Sequence, residues 1–134
     1  MTIPEILKEF RIIAVVGLST NPGRPSHRVS QYMQDQGYRI VPVRPGADEI
    51  LGEKVYPTLK DIPFPVDIVD VFRRSETVLP IAEEAVAIGA KVLWLQEKII
   101  NHEAERVCKD AGMEVIMDRC ILQEHRKAGL HGEN

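Results

Sequence analysis

A basic side chain follows every long apolar run of this chain within a few residues, and the segment after the first run has the parts of a phosphate site. The first run, residues 12–16, leads into Gly17-Leu18-Ser19-Thr20-Asn21-Pro22-Gly23-Arg24-Pro25-Ser26. The second, 38–43, is followed by Arg44, and the third, 68–72, by Arg73 and Arg74. The fourth, 92–95, leads into Gln96, Glu97 and Lys98, and the fifth, 114–117, is followed by Arg119. Arginine presents a planar fork of donors that matches phosphate. Gly17 lets a ligand approach the backbone closely. Ser19, Thr20 and Ser26 offer hydroxyls, and a helix opening at Ser26 aims free N–H groups and its positive end at the same place. The chemistry that these residues fit is the holding of a phosphate or pyrophosphate.

The spacing narrows the ligand. The dinucleotide fingerprint G-x-G-x-x-G is absent, because Leu18, Ser19 and Thr20 follow Gly17. A site for NAD also needs an acid after the second strand to hold the ribose diol, and Arg44 stands there instead. A basic residue favours a ribose with an extra phosphate, as in NADP or coenzyme A. The missing glycines disfavour NADP, which leaves coenzyme A as the better fit.

Other reactive residue types give less. Cys108 falls on an apolar helix face and reads as core. Cys120 follows Arg119 in a turn, with nothing nearby to make it a nucleophile. His27 has no carboxylate at a spacing that would orient it. His102, His125 and His131 are scattered and form no metal pattern. Trp94 reads as core or as a groove wall. Asp70 interrupts a buried strand, and two roles are open to it: a hydrogen bond within the sheet or a place facing the cleft.

The elements that position these residues alternate. The apolar runs do not alternate with polar residues, which suits strands covered on both faces, as in a parallel sheet. Helical spacing fills the gaps: Val29 and Met33 precede Gly37, residues 78–88 precede Gly89, and Ala104, Val107, Cys108 and Ala111 precede Gly112. Each of these helices therefore ends at a glycine and has a candidate N-cap in Ser26, Ser75 or Asn101. Thr2 and Glu5 form a capping box for a further short helix. Between the second and third strands, Pro45, Pro57, Pro63 and Pro65 predict irregular structure with at most a short helix. The sum is a Rossmann-like, doubly wound five-stranded parallel sheet with helices on both faces and strand order 3-2-1-4-5. Open sheets of this kind bind ligands outside the carboxyl ends of their strands.

Composition bounds the alternatives. A chain of 134 residues is the size of one domain, here 1–134 with a flexible tail from 126. A net charge of −3 gives no bulk attraction to nucleic acid or to a membrane surface. No apolar run is long enough to span a membrane, no signal sequence is seen, and two cysteines make no disulfide framework, so the default expectation is the cytoplasm.

Several stretches together resemble the small stand-alone CoA-binding domain proteins, which are similar to the N-terminal CoA-binding domain of the succinyl-CoA synthetase α-subunit. They are Val15-Val16-Gly17-Leu18-Ser19, Arg24-Pro25-Ser26, Gly37-Tyr38, Pro42-Val43-Arg44-Pro45, Val66-Asp67 through Arg73, Trp94-Leu95-Gln96-Glu97 and Asp118-Arg119-Cys120. The resemblance implies that Gly17, Leu18 and Ser19 meet the phosphates and that Val43 and Arg44 line the nucleotide. It further implies that Val71, Phe72 and Arg73 form a wall and that Gln96, Glu97 and Lys98 close the far side. Two positions depart from the pattern: Arg44 stands where members often have Asn, and Lys98 where they often have Gly. The synthetase acts through a phosphorylated histidine in a domain this chain lacks, so the resemblance implies binding without a reaction. The expectation is a non-catalytic coenzyme A or acyl-CoA binder. Two other readings stay open: a small NADP-linked or CoA-transferring enzyme using Cys120 or His27, and a subunit that completes a larger synthetase.

Overall fold

The computed structural model describes residues 1–130. In chain order the elements are α1 (Ile3–Glu9), β1 (Ile12–Val16), α2 (Pro25–Asp35), β2 (Arg39–Val43), β3 (Glu49–Ile50), β4 (Glu53–Lys54), β5 (Ile68–Val71), α3 (Val78–Ala87), β6 (Val92–Leu95), α4 (His102–Asp110), β7 (Glu114–Ile116) and α5 (Ile121–Lys127). The five apolar runs become β1, β2, β5, β6 and β7 of one sheet, and every neighbouring pair is parallel. The side chains of each strand divide between two cores, as burial on both faces requires. Ile13 and Val15 pack with Leu7, Met33 and Ile121 of α1, α2 and α5. Ala14 and Val16 pack with Ala82, Ala85 and Cys108 of α3 and α4. Helices thus cover both faces, as expected for a doubly wound sheet.

The place of the third main strand differs from the expected 3-2-1-4-5. The observed order is β2-β1-β5-β6-β7, which in the count of five strands is 2-1-3-4-5. β5 lies against β1, and the outer side of β2 is taken by Tyr56. The N–H of Tyr56 donates to the Pro42 carbonyl at 3.0 Å, and its carbonyl accepts from Arg44 N at 3.0 Å. The chain between β2 and β5 is long enough to supply this cover and still cross to the other side of β1. β1 and β5 therefore send their following helices, α2 and α3, to opposite faces, and the crevice of the fold opens between these two strands.

Four local expectations need adjustment. Between β2 and β5 the chain holds a short 3₁₀ turn, Leu59–Asp61, as expected, and also the antiparallel ribbon β3–β4. Ser26 is not the cap of α2, because Pro25 takes the first helical position and Arg24 the N-cap, in line with proline's fixed φ and missing N–H. Ser75 begins a 3₁₀ turn ahead of α3, and its hydroxyl accepts from Ile100 N at 3.0 Å. The ordered chain also continues past 126: Arg126 and Lys127 belong to α5, and Leu130 is buried. The rest of the expected tail, 131–134, lies outside the described residues. Asn101 does cap α4, accepting from Ala104 N at 2.9 Å, and the Thr2–Glu5 box is formed. Among the described residues, no helix is long and apolar enough to cross a membrane.

Candidate functional site

A cavity of about 890 Å³ opens at the carboxyl edge of the sheet, above β1, β5 and β6. Gly17, Phe72 and Gln96, each just past its strand, form the floor. Arg24 at the N-cap of α2, Arg28 on α2, and Arg73 and Arg74 after β5 give the lining four positive charges. Cys120, Leu122 and Gln123 at the start of α5, with Glu97 and Ile99, complete it. Four guanidinium groups on one cavity of an acidic chain form the local cluster that anion binding needs.

The loop between β1 and α2 is held by its own polar groups. Ser26 is buried at the start of α2, and its Oγ accepts from Ser19 N at 2.9 Å. Ser19 Oγ accepts from Asn21 N at 3.0 Å, and Asn21 Oδ1 accepts from Gly23 N at 2.9 Å. Arg28 Nη1 donates to the Gly23 carbonyl at 2.6 Å. The two serine oxygens thus already serve the loop, which leaves their O–H groups as the donors available to a ligand. Ser26→Ala would orphan the Ser19 N–H. We expect a loss of about 1–2 kcal/mol in stability, read by denaturant titration.

Gly17 makes the floor possible. Its φ is 91°, and a Cβ placed there would stand 2.5 Å from the Phe72 carbonyl oxygen and 3.2 Å from Arg73 Nε. The β5 exit and the Arg73 side chain therefore lie directly against this glycine.

Gln96 and Asp70 form a buried pair beneath the cavity, 4% and 2% exposed. Gln96 Nε2 donates to Asp70 Oδ1 at 2.6 Å, and Gln96 Oε1 accepts from Ile121 N at 3.4 Å. Burial pushes the Asp70 carboxyl up to about 7, with the Gln96 bond pulling the other way. Of the two roles open to Asp70, the structure gives it a hydrogen bond within the sheet. Burial also raises the Cys120 thiol, assisted by Glu97 and Asp70 and opposed by the N–H groups of Gln123 and Leu122. Cys108 is core, its thiol pushed up to about 11 by burial. Trp94 is core as well, and its Nε1 donates to the Arg119 carbonyl at 2.8 Å.

Of the residues singled out in the sequence, the cavity gathers Gly17, Ser19, Arg24, Ser26, Phe72, Arg73, Arg74, Gln96 and Glu97. It does not gather five others. Leu18, Val43 and Val71 are buried in the two cores. Arg44 turns its Nε to the Pro45 carbonyl, 3.0 Å away. Lys98 sits at φ 68° with its N–H on Asp118 Oδ1 at 2.7 Å. The sequence reading missed Arg28, Val29, Ile99, Leu122 and Gln123 as cavity residues, and took up Cys120 only in the alternative enzyme reading. A signal existed for Arg28, which is four residues past Arg24 and so on the same helix face. The residues of α5 carried little signal, because Cys120 stands at the N-cap without a side-chain hydrogen bond.

A CoA-binding Rossmann-like domain is the class that this fold and edge define. Residues 11–126 match the CoA binding domain family, and the chain belongs to it. It is 51% identical to the uncharacterized protein YneT of Bacillus subtilis (strain 168), over 92% of this chain and 91% of that protein. A hypothetical protein from Pyrococcus horikoshii OT3 has a similar structure, with a TM-score of 0.91 and 37% identity, covering 94% of this chain and 89% of that one. Acetate–CoA ligase [ADP-forming] II of Archaeoglobus fulgidus is 29% identical across 96% of this chain, which spans 19% of the ligase.

Proposed function

We propose that this chain is a stand-alone, non-catalytic binder of coenzyme A or an acyl-CoA. The observation that carries the reading is the cavity at the β1–β5 crevice lined by Arg24, Arg28, Arg73 and Arg74. These guanidinium groups take the three phosphates, and the uncharged arm of the ligand lies toward α5. Arg44, turned to its own neighbour's carbonyl, is replaced in the proposed site by Arg28. A binding role is also favoured by the state of the cavity thiol, since burial and nearby carboxylates hold Cys120 protonated and a thiol is a poor nucleophile. Both cysteines are free, which suits the reducing cytoplasm.

Titration calorimetry tests the reading. Coenzyme A should bind, dephospho-coenzyme A should bind more weakly, and NADP should not compete. Arg73→Ala should weaken coenzyme A about tenfold or more, the ~1.5–3 kcal/mol of a hydrogen bond to a charged group. Equal affinity for the two coenzymes would remove the 3′-phosphate from the proposed contacts. A second reading, a CoA-holding subunit of a ligase-like assembly, is favoured by the likeness to a segment of the acetate–CoA ligase. Co-purification with a larger ligase-like chain would support it.

A further inference from the structure

We propose that Asp70 is a positioning residue for the ligand: it fixes Gln96 on the cavity floor, where the uncharged amide arm lies. The inference rests on the coenzyme A reading and names the part of the ligand that this floor position receives.

A free glutamine amide can present either edge. Here the backbone settles the choice. Ile121 N–H points at Gln96 Oε1, and a flipped amide would set two N–H groups against each other. Gln96 Nε2 must then face Asp70, which accepts from it at 2.6 Å. Asp70 thereby anchors the Gln96 carboxamide that ties β5, the end of β6 and the start of α5 together. After both bonds the carboxamide keeps one N–H and one oxygen lone pair. An amide with one free donor and one free acceptor complements another amide, and the arm of coenzyme A carries two. Phosphates do not suit this place: the acidic Glu97 follows Gln96 directly, and the arginines of the cavity belong to the start of α2 and the exit of β5.

The environment of Asp70 makes the link testable by pH. It pairs with Val15 of β1 and Trp94 of β6 in the sheet, on the face covered by α1, α2 and α5. The titratable groups of that face are Cys120 at the N-cap of α5, His125 on α5, Tyr32 of α2 and Tyr38, with Glu97 next to Gln96, and all of them stay in place in a variant at position 70. The burial of Asp70 pushes its carboxyl up to about 7, with the Gln96 hydrogen bond pulling the other way. A ligand arm lying over Gln96 excludes water from above the pair and disfavours the ionised carboxylate further. Binding therefore takes up a proton, and affinity falls as pH rises through about 7.

Calorimetry at pH 6 and pH 8 with two probes, coenzyme A and adenosine 3′,5′-bisphosphate, tests this. The second probe has the nucleotide half without the arm; its 5′-monophosphate titrates where the pyrophosphate of coenzyme A does not, so the pH comparison is made with coenzyme A between wild type and Asp70→Asn. Wild-type protein should bind coenzyme A several-fold more weakly at pH 8 than at pH 6, beyond any change seen with Asp70→Asn. Asp70→Asn keeps an acceptor for Gln96 and should remove this extra pH dependence while retaining affinity. Asp70→Leu and Gln96→Leu should weaken coenzyme A by about tenfold and leave the bisphosphate within a factor of about two. Equal losses for both probes, or an unchanged pH profile in Asp70→Asn, would overturn the inference. Failure of wild-type protein to bind coenzyme A at all would instead overturn the reading of the site.

Discussion

Gly17→Ala should cost on the order of 3–4 kcal/mol of stability and abolish coenzyme A binding, because two effects add at one atom. The first is conformational. Gly17 has a φ of 91°, where a side chain meets a backbone cost of roughly 1–2 kcal/mol. The second is steric. The new Cβ would lie 2.5 Å from the Phe72 carbonyl oxygen, a backbone atom that cannot rotate away. Relief requires the ends of β1 and β5 to part, and both are pinned. Phe72 N donates to the Val16 carbonyl at 2.9 Å, and Gly17 N donates to the Val43 carbonyl at 3.0 Å. Arg73, whose Nε is 3.2 Å from the same point, would leave its place on the cavity. Gly46 separates the two effects: its φ is 80°, and nothing lies within 4 Å of an added Cβ. Gly46→Ala should show the conformational cost alone. Equilibrium denaturation of both variants gives the check. If Gly17→Ala were no worse than Gly46→Ala, the close approach of β5 would not be what demands glycine here.

The parallel sheet was legible because burial on both faces leaves unbroken apolar runs, and no other common element of that length does so. The strand order was less legible, since it depends on where a long connection chooses to lie. One residue did carry the information. Pro42 lacks an N–H, and proline within a sheet belongs at an edge. Its presence in the second strand argued against flanking that strand on both sides, and β2 is indeed the edge, covered only by the segment at Tyr56. The consequence reaches the site, because β5 against β1 is what brings Phe72 and Arg73 onto Gly17.

The cavity was legible where backbone position alone decides and illegible where side-chain direction does. Gly17, Phe72 and Gln96 follow strand ends and must lie at the carboxyl edge. Arg44 and Lys98 follow strand ends too, yet neither lines the cavity. An exposed arginine folds toward whichever acceptor is nearest, here the Pro45 carbonyl. For Lys98 the left-handed backbone, φ 68°, explains why glycine suits the place. The α5 wall was hidden for another reason. A helix of seven residues, Ile121–Lys127, carries too few turns for its periodicity to stand out.

The buried acid at Asp70 should make this protein less stable above neutral pH than in mild acid, contrary to the usual behaviour of paired carboxylates. The sign follows from proton binding. Folding raises the Asp70 carboxyl from 3.8 to about 7, so between these values the folded state holds a proton that the unfolded state releases. Stability then falls as pH rises across the window and is fully reduced above about 7. A tenfold difference in proton affinity between the two states is worth about 1.4 kcal/mol, so the loss between pH 5 and pH 8 should reach about 2–3 kcal/mol. Glu5 and Glu105, both lowered by hydrogen bonds, act in the opposite sense, but they are solvated and remain unchanged in a variant at position 70. Asp70→Asn isolates the buried group. Its stability relative to wild type should rise from pH 5 to about pH 7 and level off by pH 8, whatever constant offset the new amide introduces. Guanidinium titrations at four pH values would measure the slope, and a difference independent of pH would show that Asp70 is ionised throughout. A buried carboxyl that lowers stability at neutral pH is retained against that cost, and the bond it makes to Gln96 on the cavity floor is the benefit that the structure places beside it.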